Sequence, residues 1–268
     1  MDDAGQDATS AGGDDAAPDA GPRPAIGVIS DVHGNLPALT AVLDAVDAAG
    51  IERIWCLGDT IGYGPFAAEC CELVLARCEL VLAGNHEVAL RGIDAGNPFG
   101  GGAGAGLDHA HATLGPAQLE ALAQLPSFHV FEAIEAYHAA SFDPVWEYVA
   151  DPAAAAMHLD SQRAPLSLVG HSHRQLAFWR AAPGGRDMPV EGGPATGQEP
   201  VRLAGRVVVA NPGSVGQPRD GDPRAAWAVL TPEAISFHRI EYDIDAMAEA
   251  CELADLPPTT AERLYRGE

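Results

Sequence analysis

Short apolar runs alternate with segments of helical spacing in the first third of the chain. The pattern predicts buried strands at residues 25–30, 51–57 and 79–83, and helices at 36–49 and 65–77. A chain that alternates strand and helix in this way forms a largely parallel sheet with the helices outside it. We therefore expect an α/β fold for this part of the protein.

Short strands dominate the rest of the chain. They are predicted at residues 128–131, 134–139, 166–169, 175–179, 206–210, 225–230 and 234–240, beside helices at 116–125 and 244–256 and a hairpin excursion at 181–200. Together the two patterns predict one domain with two mixed β-sheets packed face to face and flanked by helices, a four-layer α/β/β/α sandwich.

Two segments fall outside this pattern. Residues 1–24 are acidic and poor in apolar side chains, so we expect a disordered tail followed by a single domain over 25–268. Residues 92–106 are rich in glycine but lack the lysine and the strand-to-helix setting of a phosphate-cradling loop. That segment is predicted to be a mobile lid or a linker.

The composition excludes several classes of protein. The chain has 38 acidic and 15 basic residues and a net charge of −23, which repels nucleic-acid backbones, so strong nucleic-acid binding is not expected. It shows neither an apolar run of membrane-spanning length nor a secretory signal, and its five cysteines include no Cys-x-x-Cys pair. We expect a cytoplasmic protein without a membrane partner; the oligomeric state stays open.

Residues of metal-binding type follow five of the predicted strands. They are Asp31 and His33, Asp59, Asn85 and His86, His138, and His171 and His173. Sites in open α/β sheets form outside the carboxyl ends of the strands, so these side chains should converge. A lone histidine is more often structural, and it is the joint occurrence of these residues that indicates a metal site.

The residue types also indicate the chemistry. Carboxylates and imidazoles bind divalent cations such as Mn²⁺, Fe²⁺ and Zn²⁺. Asp31 and His33 can reach one ion from the same turn, and a carboxylate such as Asp59 can bridge two ions. Two ions about 3.5–4 Å apart can hold a hydroxide nucleophile and clamp a phosphate.

These motifs, in this order, resemble the calcineurin-like metallophosphoesterase superfamily. Its signature is Asp-x-His, Gly-Asp, Gly-Asn-His-Asp/Glu, a solitary His and Gly-His-x-His. The resemblance runs from about Ile26 to Ile240. Within the superfamily, the chain most resembles the small bacterial phosphodiesterase-like branch, whose members contain segments like 58–65, 138–144 and 211–219.

The resemblance implies a role for each residue. Asp31, His33 and His173 would hold one metal, Asn85, His138 and His171 a second, and Asp59 would bridge them. His86 would stabilise the phosphate and protonate the leaving oxygen. The implied cofactors are two divalent ions, with manganese first and iron, zinc, nickel or cobalt as alternatives.

Two assignments have alternatives. His138 is preferred as the solitary histidine because it ends an apolar run, whereas His109, His111 and His129 lie upstream. Gly62 and Tyr63 stand where phosphoprotein phosphatases carry an aspartate that orients the catalytic histidine and an arginine that grips phosphate. Arg219 or Arg174 could contact the phosphate instead.

The predicted function is a two-metal phosphoesterase that hydrolyses a small-molecule or nucleotide phosphate ester by attack of a metal-bridging hydroxide. Phosphodiesters are the first substrate class and phosphomonoesters the second. The alternatives are a dinucleoside polyphosphate hydrolase, a phosphoprotein phosphatase, which Gly62 and Tyr63 argue against, and a non-catalytic scaffold of the same fold.

Overall fold

The computed structural model describes residues 24–92, 99–131, 133–195 and 199–268. In chain order its strands are β1 (Ile26–Ile29), β2 (Arg53–Cys56), β3 (Leu80–Val81), β4 (Phe128–Val130), β5 (Ile134–Tyr137), β6 (Leu166–Leu168), β7 (Gln175–Ala181), β8 (Glu191–Pro194), β9 (Val201–Arg202), β10 (Arg206–Pro212), β11 (Ala225–Leu230) and β12 (Ala234–Ile240). The α-helices are α1 (Leu36–Ala48), α2 (Ala67–Arg77), α3 (Asn85–Leu90), α4 (Gly101–Thr113), α5 (Pro116–Gln124), α6 (Pro152–Ser161), α7 (Ile244–Leu253) and α8 (Pro258–Leu264).

The strands form two six-stranded sheets, both mixed. The first has the order β3-β2-β1-β11-β12-β9, with β1, β2 and β3 parallel and the remaining pairs antiparallel. The second has the order β4-β5-β6-β10-β7-β8, with β5, β6 and β10 parallel. The predicted fold of two mixed sheets with helices outside is thereby confirmed.

Three of the apolar clusters in the core form layers of the sandwich. Val28 and Leu168 belong to the layer between the sheets, whereas Ile29, one position after Val28, packs with Leu39 of α1. Successive strand residues point to opposite faces, so β1 contributes to both layers. On the far side, Leu159 of α6 packs against the second sheet. Among the described residues, no helix is long and apolar enough to cross a membrane.

Several elements differ from the sequence prediction. Residues 101–106 begin helix α4, so the loop predicted over 92–106 is wrong there; residues 93–98 lie outside the described part, as does the predicted tail except for Pro24. The glycines of this segment favoured a loop, but Gly106 is required by helix packing: a Cβ on it would come within 2.0 Å of the Tyr63 backbone nitrogen. Glycine at this position lets α4 pack directly on the chain at Tyr63. Helices α3, α6 and α8 were not predicted.

Candidate metal centre

The carboxyl ends of the parallel strands meet at one edge of the sandwich. There the predicted site residues follow β1 (Asp31 and His33), β2 (Asp59), β5 (His138) and β6 (His171 and His173), and occupy the first turn of α3 after β3 (Asn85 and His86). All eight side chains are buried. The fold therefore brings together every residue that the sequence singled out.

The backbone at this edge is locally strained. Five of the seven predicted ligands have a left-handed φ, namely Asp31 (54°), His33 (50°), Asp59 (53°), His171 (63°) and His173 (58°). Non-glycine residues seldom adopt this region, and such residues cluster at functional sites. These left-handed residues follow β1, β2 and β6, and their side chains meet at a common centre.

The first group of ligand atoms comes from Asp31, His33, Asp59 and His173. These atoms all lie within 4.8 Å of one another. Asp31 Oδ1 is 3.3 Å from His173 Nε2, and the Nε2 atoms of His33 and His173 are 3.1 Å apart. A cation placed among these atoms would contact two carboxylates and two imidazoles.

The second group comes from Asp59, His138 and His171, whose ligand atoms also lie within 4.8 Å of one another. Asp59 Oδ2 is 3.6 Å from His33 Nε2 in the first group and 3.5 Å from His138 Nε2 in the second. Asn85 Oδ1 lies 3.1 Å from His138 Nε2. Asp59 thus belongs to both groups.

Backbone carbonyls orient the four histidines. Nδ1 faces a carbonyl oxygen in His33 (Ile61, 3.1 Å), His138 (Leu57, 2.8 Å) and His173 (Gln217, 2.6 Å), whereas in His171 it is Nε2 that faces the carbonyl of Trp146 (3.1 Å). A ring nitrogen that donates its hydrogen to a carbonyl leaves the other nitrogen with a free lone pair. Each ring therefore presents a metal-binding nitrogen to the centre.

The donor set fits divalent cations. Asp31 Oδ1 is buried and has no hydrogen-bond partner among the described residues. Burial, followed by the nearby charges of Glu87 and Asp31, raises the pKa of Asp59 well above its usual value. Burial also lowers the pKa of His33 and of His173, so both imidazoles are neutral at pH 7. Closely spaced carboxylates and neutral imidazoles are what a divalent cation stabilises.

Glu87 fixes the geometry from beneath. Its buried carboxylate accepts hydrogen bonds from four backbone N–H groups, those of Asp59 (3.0 Å), Thr60 (2.9 Å), Ile61 (3.2 Å) and Gly84 (2.8 Å). One side chain thus ties the loop after β2 to the start of α3. Glu87 is the last residue of the Gly-Asn-His-Asp/Glu motif, but this hydrogen-bonding role was not predicted from the sequence.

His86 lies at the centre without facing a carboxylate. Its backbone N–H donates to Asp59 Oδ1 (3.0 Å), and its ring is in edge contact with Phe99 at 4.7 Å between centroids. Its Nδ1 is buried against Gly62 and has no hydrogen-bond partner among the described residues. Burial, then the neighbouring His173 and His138, lowers its pKa well below the usual value.

A cavity of about 200 Å³ opens above the centre. Besides ligands and His86, it is lined by four aromatic side chains, Tyr63, Phe99, Trp146 and Tyr148, and by Arg219. Trp146 and Tyr148 belong to the segment after β5, and Tyr148 stacks on His171 at 4.0 Å. Sequence reasoning did not find these aromatic walls, because the side chains come from separate segments with no common spacing.

The alternative residues lie elsewhere. His109 on α4 faces the carbonyl of Pro65, and His129 on the edge strand β4 packs on Phe131. Neither these nor His111 belong to the two ligand groups found among the described residues. Arg174 is exposed, and its Nε donates to the carbonyl of Arg219 rather than lining the cavity.

The chain belongs to the calcineurin-like phosphoesterase superfamily, whose domain model matches residues 25–234. The predicted family resemblance is confirmed. The fold is therefore that of a calcineurin-like phosphoesterase domain.

Three known proteins are similar to this chain over nearly their whole length. The uncharacterized protein MJ0912 of Methanocaldococcus jannaschii is 32% identical over 252 residues, which cover 90% of this chain and 98% of that protein. The crystal structure of a metallophosphoesterase from Sphaerobacter thermophilus is 33% identical with a TM-score of 0.81, covering 91% of this chain and 99% of that one. Hypothetical protein PH1004 from Pyrococcus horikoshii OT3, at 20% identity and a TM-score of 0.71, shares the fold over 92% of this chain and 99% of its own.

Proposed function

We propose that this protein is a two-metal phosphodiesterase. One observation supports it above the others: two groups of ligand atoms share Asp59, whose Oδ2 lies 3.6 Å from a nitrogen of the first group and 3.5 Å from one of the second. Asp31, His33 and His173 would hold one cation and Asn85, His138 and His171 the other. When bound, the two cations would supply Lewis acidity, lowering the pKa of a water molecule and neutralising phosphate charge.

His86 would donate a proton to the leaving group. Its Nδ1 faces Gly62, so Nε2 is the nitrogen left to donate a hydrogen bond to a bound phosphate ester. No carboxylate among the described residues accepts from Nδ1. A phosphate anion beside the ring favours the protonated form, so the substrate itself would raise the pKa that burial lowers. The proton would pass from Nε2 to the departing oxygen.

The cavity favours esters with two organic groups. Phe99, Trp146 and Tyr148 extend its walls beyond the ligands, and Phe99 and Trp146 face one another at 6.3 Å between ring centroids. Aromatic walls bind apolar or aromatic groups rather than a second phosphate charge. A phosphodiester, with one charge and two such groups, matches this lining better than a dianionic monoester, and small-molecule and nucleotide esters both qualify.

We further propose manganese as the resident metal and the cytoplasm as the location. The mixed nitrogen and oxygen donors accept manganese, iron, zinc, nickel or cobalt, so availability decides among them. All five cysteines carry free thiols and four of them are buried, which suits a reducing compartment.

The test compares bis(p-nitrophenyl) phosphate with p-nitrophenyl phosphate, using metal-stripped protein reloaded with Mn²⁺. We expect metal-dependent hydrolysis of both esters with the larger kcat/KM for the diester. Asp59→Asn should abolish it, and His86→Asn should lower kcat while leaving metal content unchanged. An inactive wild type that nevertheless binds two metal ions would contradict the proposal, and equal rates on both esters would contradict the preference for diesters.

A further inference from the structure

Arg219 is the one lysine or arginine among the described residues that line the cavity. The other lining residues with ionisable side chains are Asp59, three histidines and two tyrosines. A phosphate ester that enters this cavity is an anion, and a guanidinium is the side chain best suited to bind it.

No carboxylate among the described residues forms an ion pair with Arg219. Its Nη2 donates to Tyr63 Oη (3.1 Å) and to Gln217 Oε1 (2.8 Å), both neutral oxygens, and its Nε has no hydrogen-bond partner among the described residues. Arg180 and Arg239, by contrast, are paired with Asp160 and Asp220. A part-buried guanidinium held by neutral acceptors keeps its affinity for an anion.

Arg219 and its partner Tyr63 both contact predicted metal ligands. The backbone N–H of Arg219 donates to the carbonyl of His173 (3.1 Å), and Arg219 Cζ lies 5.6 Å from the centroid of the Tyr63 ring. Tyr63 is in turn held by its edge contact with His33 (4.8 Å) and by the close packing of Gly106 on its backbone. The guanidinium is therefore preorganised relative to two of the predicted metal ligands.

We propose that Arg219 binds the phosphate group of the substrate and that Tyr63 is the residue that positions its guanidinium. This inference rests on the proposed function of the same site. It assigns the phosphate contact to the segment after β10 and gives the aromatic residue after β2 a positioning role. Gln217 supports the same guanidinium from its own segment.

The experiment measures binding of inorganic phosphate to the full-length, Mn²⁺-loaded protein by calorimetry. We expect Arg219→Gln to weaken phosphate binding at least about tenfold, since one charge-assisted contact is lost. Arg219→Lys should give an intermediate loss, because the charge stays and the fork geometry goes. Tyr63→Phe should weaken binding about threefold and raise KM for the diester while kcat stays within about twofold, since one positioning hydrogen bond is removed.

The matched control is Arg174→Gln, which removes an exposed guanidinium next to the same loop. It should change phosphate affinity less than about twofold, since surface charges contribute little. Metal content should stay at the wild-type level in all four variants, which excludes damage to the centre.

Three results would overturn the inference: wild-type protein that binds no phosphate, Arg219→Gln that binds it as the wild type does, and Arg174→Gln that loses as much affinity as Arg219→Gln. The proposed function is judged separately. Phosphate binding that depends on Arg219 in a protein without hydrolytic activity would support the inference and reject the function. Hydrolysis that does not depend on Arg219 would support the function and reject the inference.

Discussion

The ring of His86 lies directly against the backbone of Gly62, and a Cβ at position 62 would come within 2.0 Å of His86 Nδ1. No side chain can therefore stand between this loop and the histidine. The packing of His86 on Gly62 leaves no room for an aspartate at position 62. Nδ1 therefore has no hydrogen-bond partner among the described residues.

Gly62→Ala should displace His86 and lower turnover. Gly50→Ala is its matched control, because φ is positive at both glycines (89° and 68°) but a Cβ at position 50 meets nothing within 4 Å. Each variant should lose about 1 kcal/mol of unfolding free energy from backbone strain. Only Gly62→Ala should reduce kcat, by the roughly 10²–10⁴-fold that a general acid contributes. Equal kcat in the two variants would show that His86 is not a proton donor.

Asp59→Asn should remove the shared ligand. If the amide oxygen keeps the hydrogen bond from the His86 N–H, the amide nitrogen replaces Oδ2 between the two ligand groups and repels cations. We expect bound Mn²⁺, measured by plasma emission, to fall below two ions per chain and kcat to fall by more than about 100-fold. The control Asp151→Asn keeps a good N-cap on α6 and should retain both ions. Full metal content in Asp59→Asn would argue against a bridging role.

Glu87→Gln tests the carboxylate beneath the centre. A glutamine amide would turn its NH₂ group toward two of the four backbone donors that Glu87 now accepts from. We expect the free energy of unfolding, measured in urea with the metal removed, to fall by about 3 kcal/mol. Glu120→Gln, on the exposed side of α5, should change it by less than about 0.5 kcal/mol. Similar stabilities for the two variants would mean that Glu87 does not hold the loops together.

His158 should make the stability depend on pH. It is fully buried, its Nδ1 accepts from the Ser141 N–H and its Nε2 faces Ser167 Oγ, and burial lowers its pKa from 6.5 to about 3. Between these two values the unfolded chain binds a proton that the folded chain does not, so the free energy of unfolding falls as pH falls. Above pH 6.5 the contribution is fully present.

Urea unfolding at pH 7 and pH 5 would measure this effect. We expect the wild type to lose about 2 kcal/mol more than His158→Gln over that interval, as the linkage relation requires for a single proton. His111→Gln, which removes an exposed imidazole on α4, is the control and should follow the wild type. Identical pH dependence in wild type and His158→Gln would contradict the assignment.

The ligand set was predictable from the sequence for a local reason. Each residue sits one to five positions past an apolar strand, and the parallel pairing of β1, β2 and β3, and of β5 and β6, brings those ends to one edge. Helix α6 was not predicted, although the sequence carries a signal for its start: Asp151 is a good N-cap and Pro152 favours the first helical position. The low helix propensity of glycine, by contrast, concealed the start of α4.

The cavity walls were not predictable in the same way. Tyr63, Phe99 and Trp146 line one cavity but come from three separate segments, after β2, before α4 and after β5. The partnership of Tyr63 with Arg219 spans 156 positions and depends on a left-handed φ of 56° at Tyr63. Neither spacing nor composition carries that information.

The left-handed backbone at the five ligands has a consequence for the folding free energy of the chain. Each of those conformations costs about 1 kcal/mol in a residue with a side chain, and glycine would relieve it. At each of these five positions the backbone conformation alone therefore favours glycine. This chain carries aspartate or histidine at all five positions, so it gives up part of its folding free energy to direct these side chains at one point.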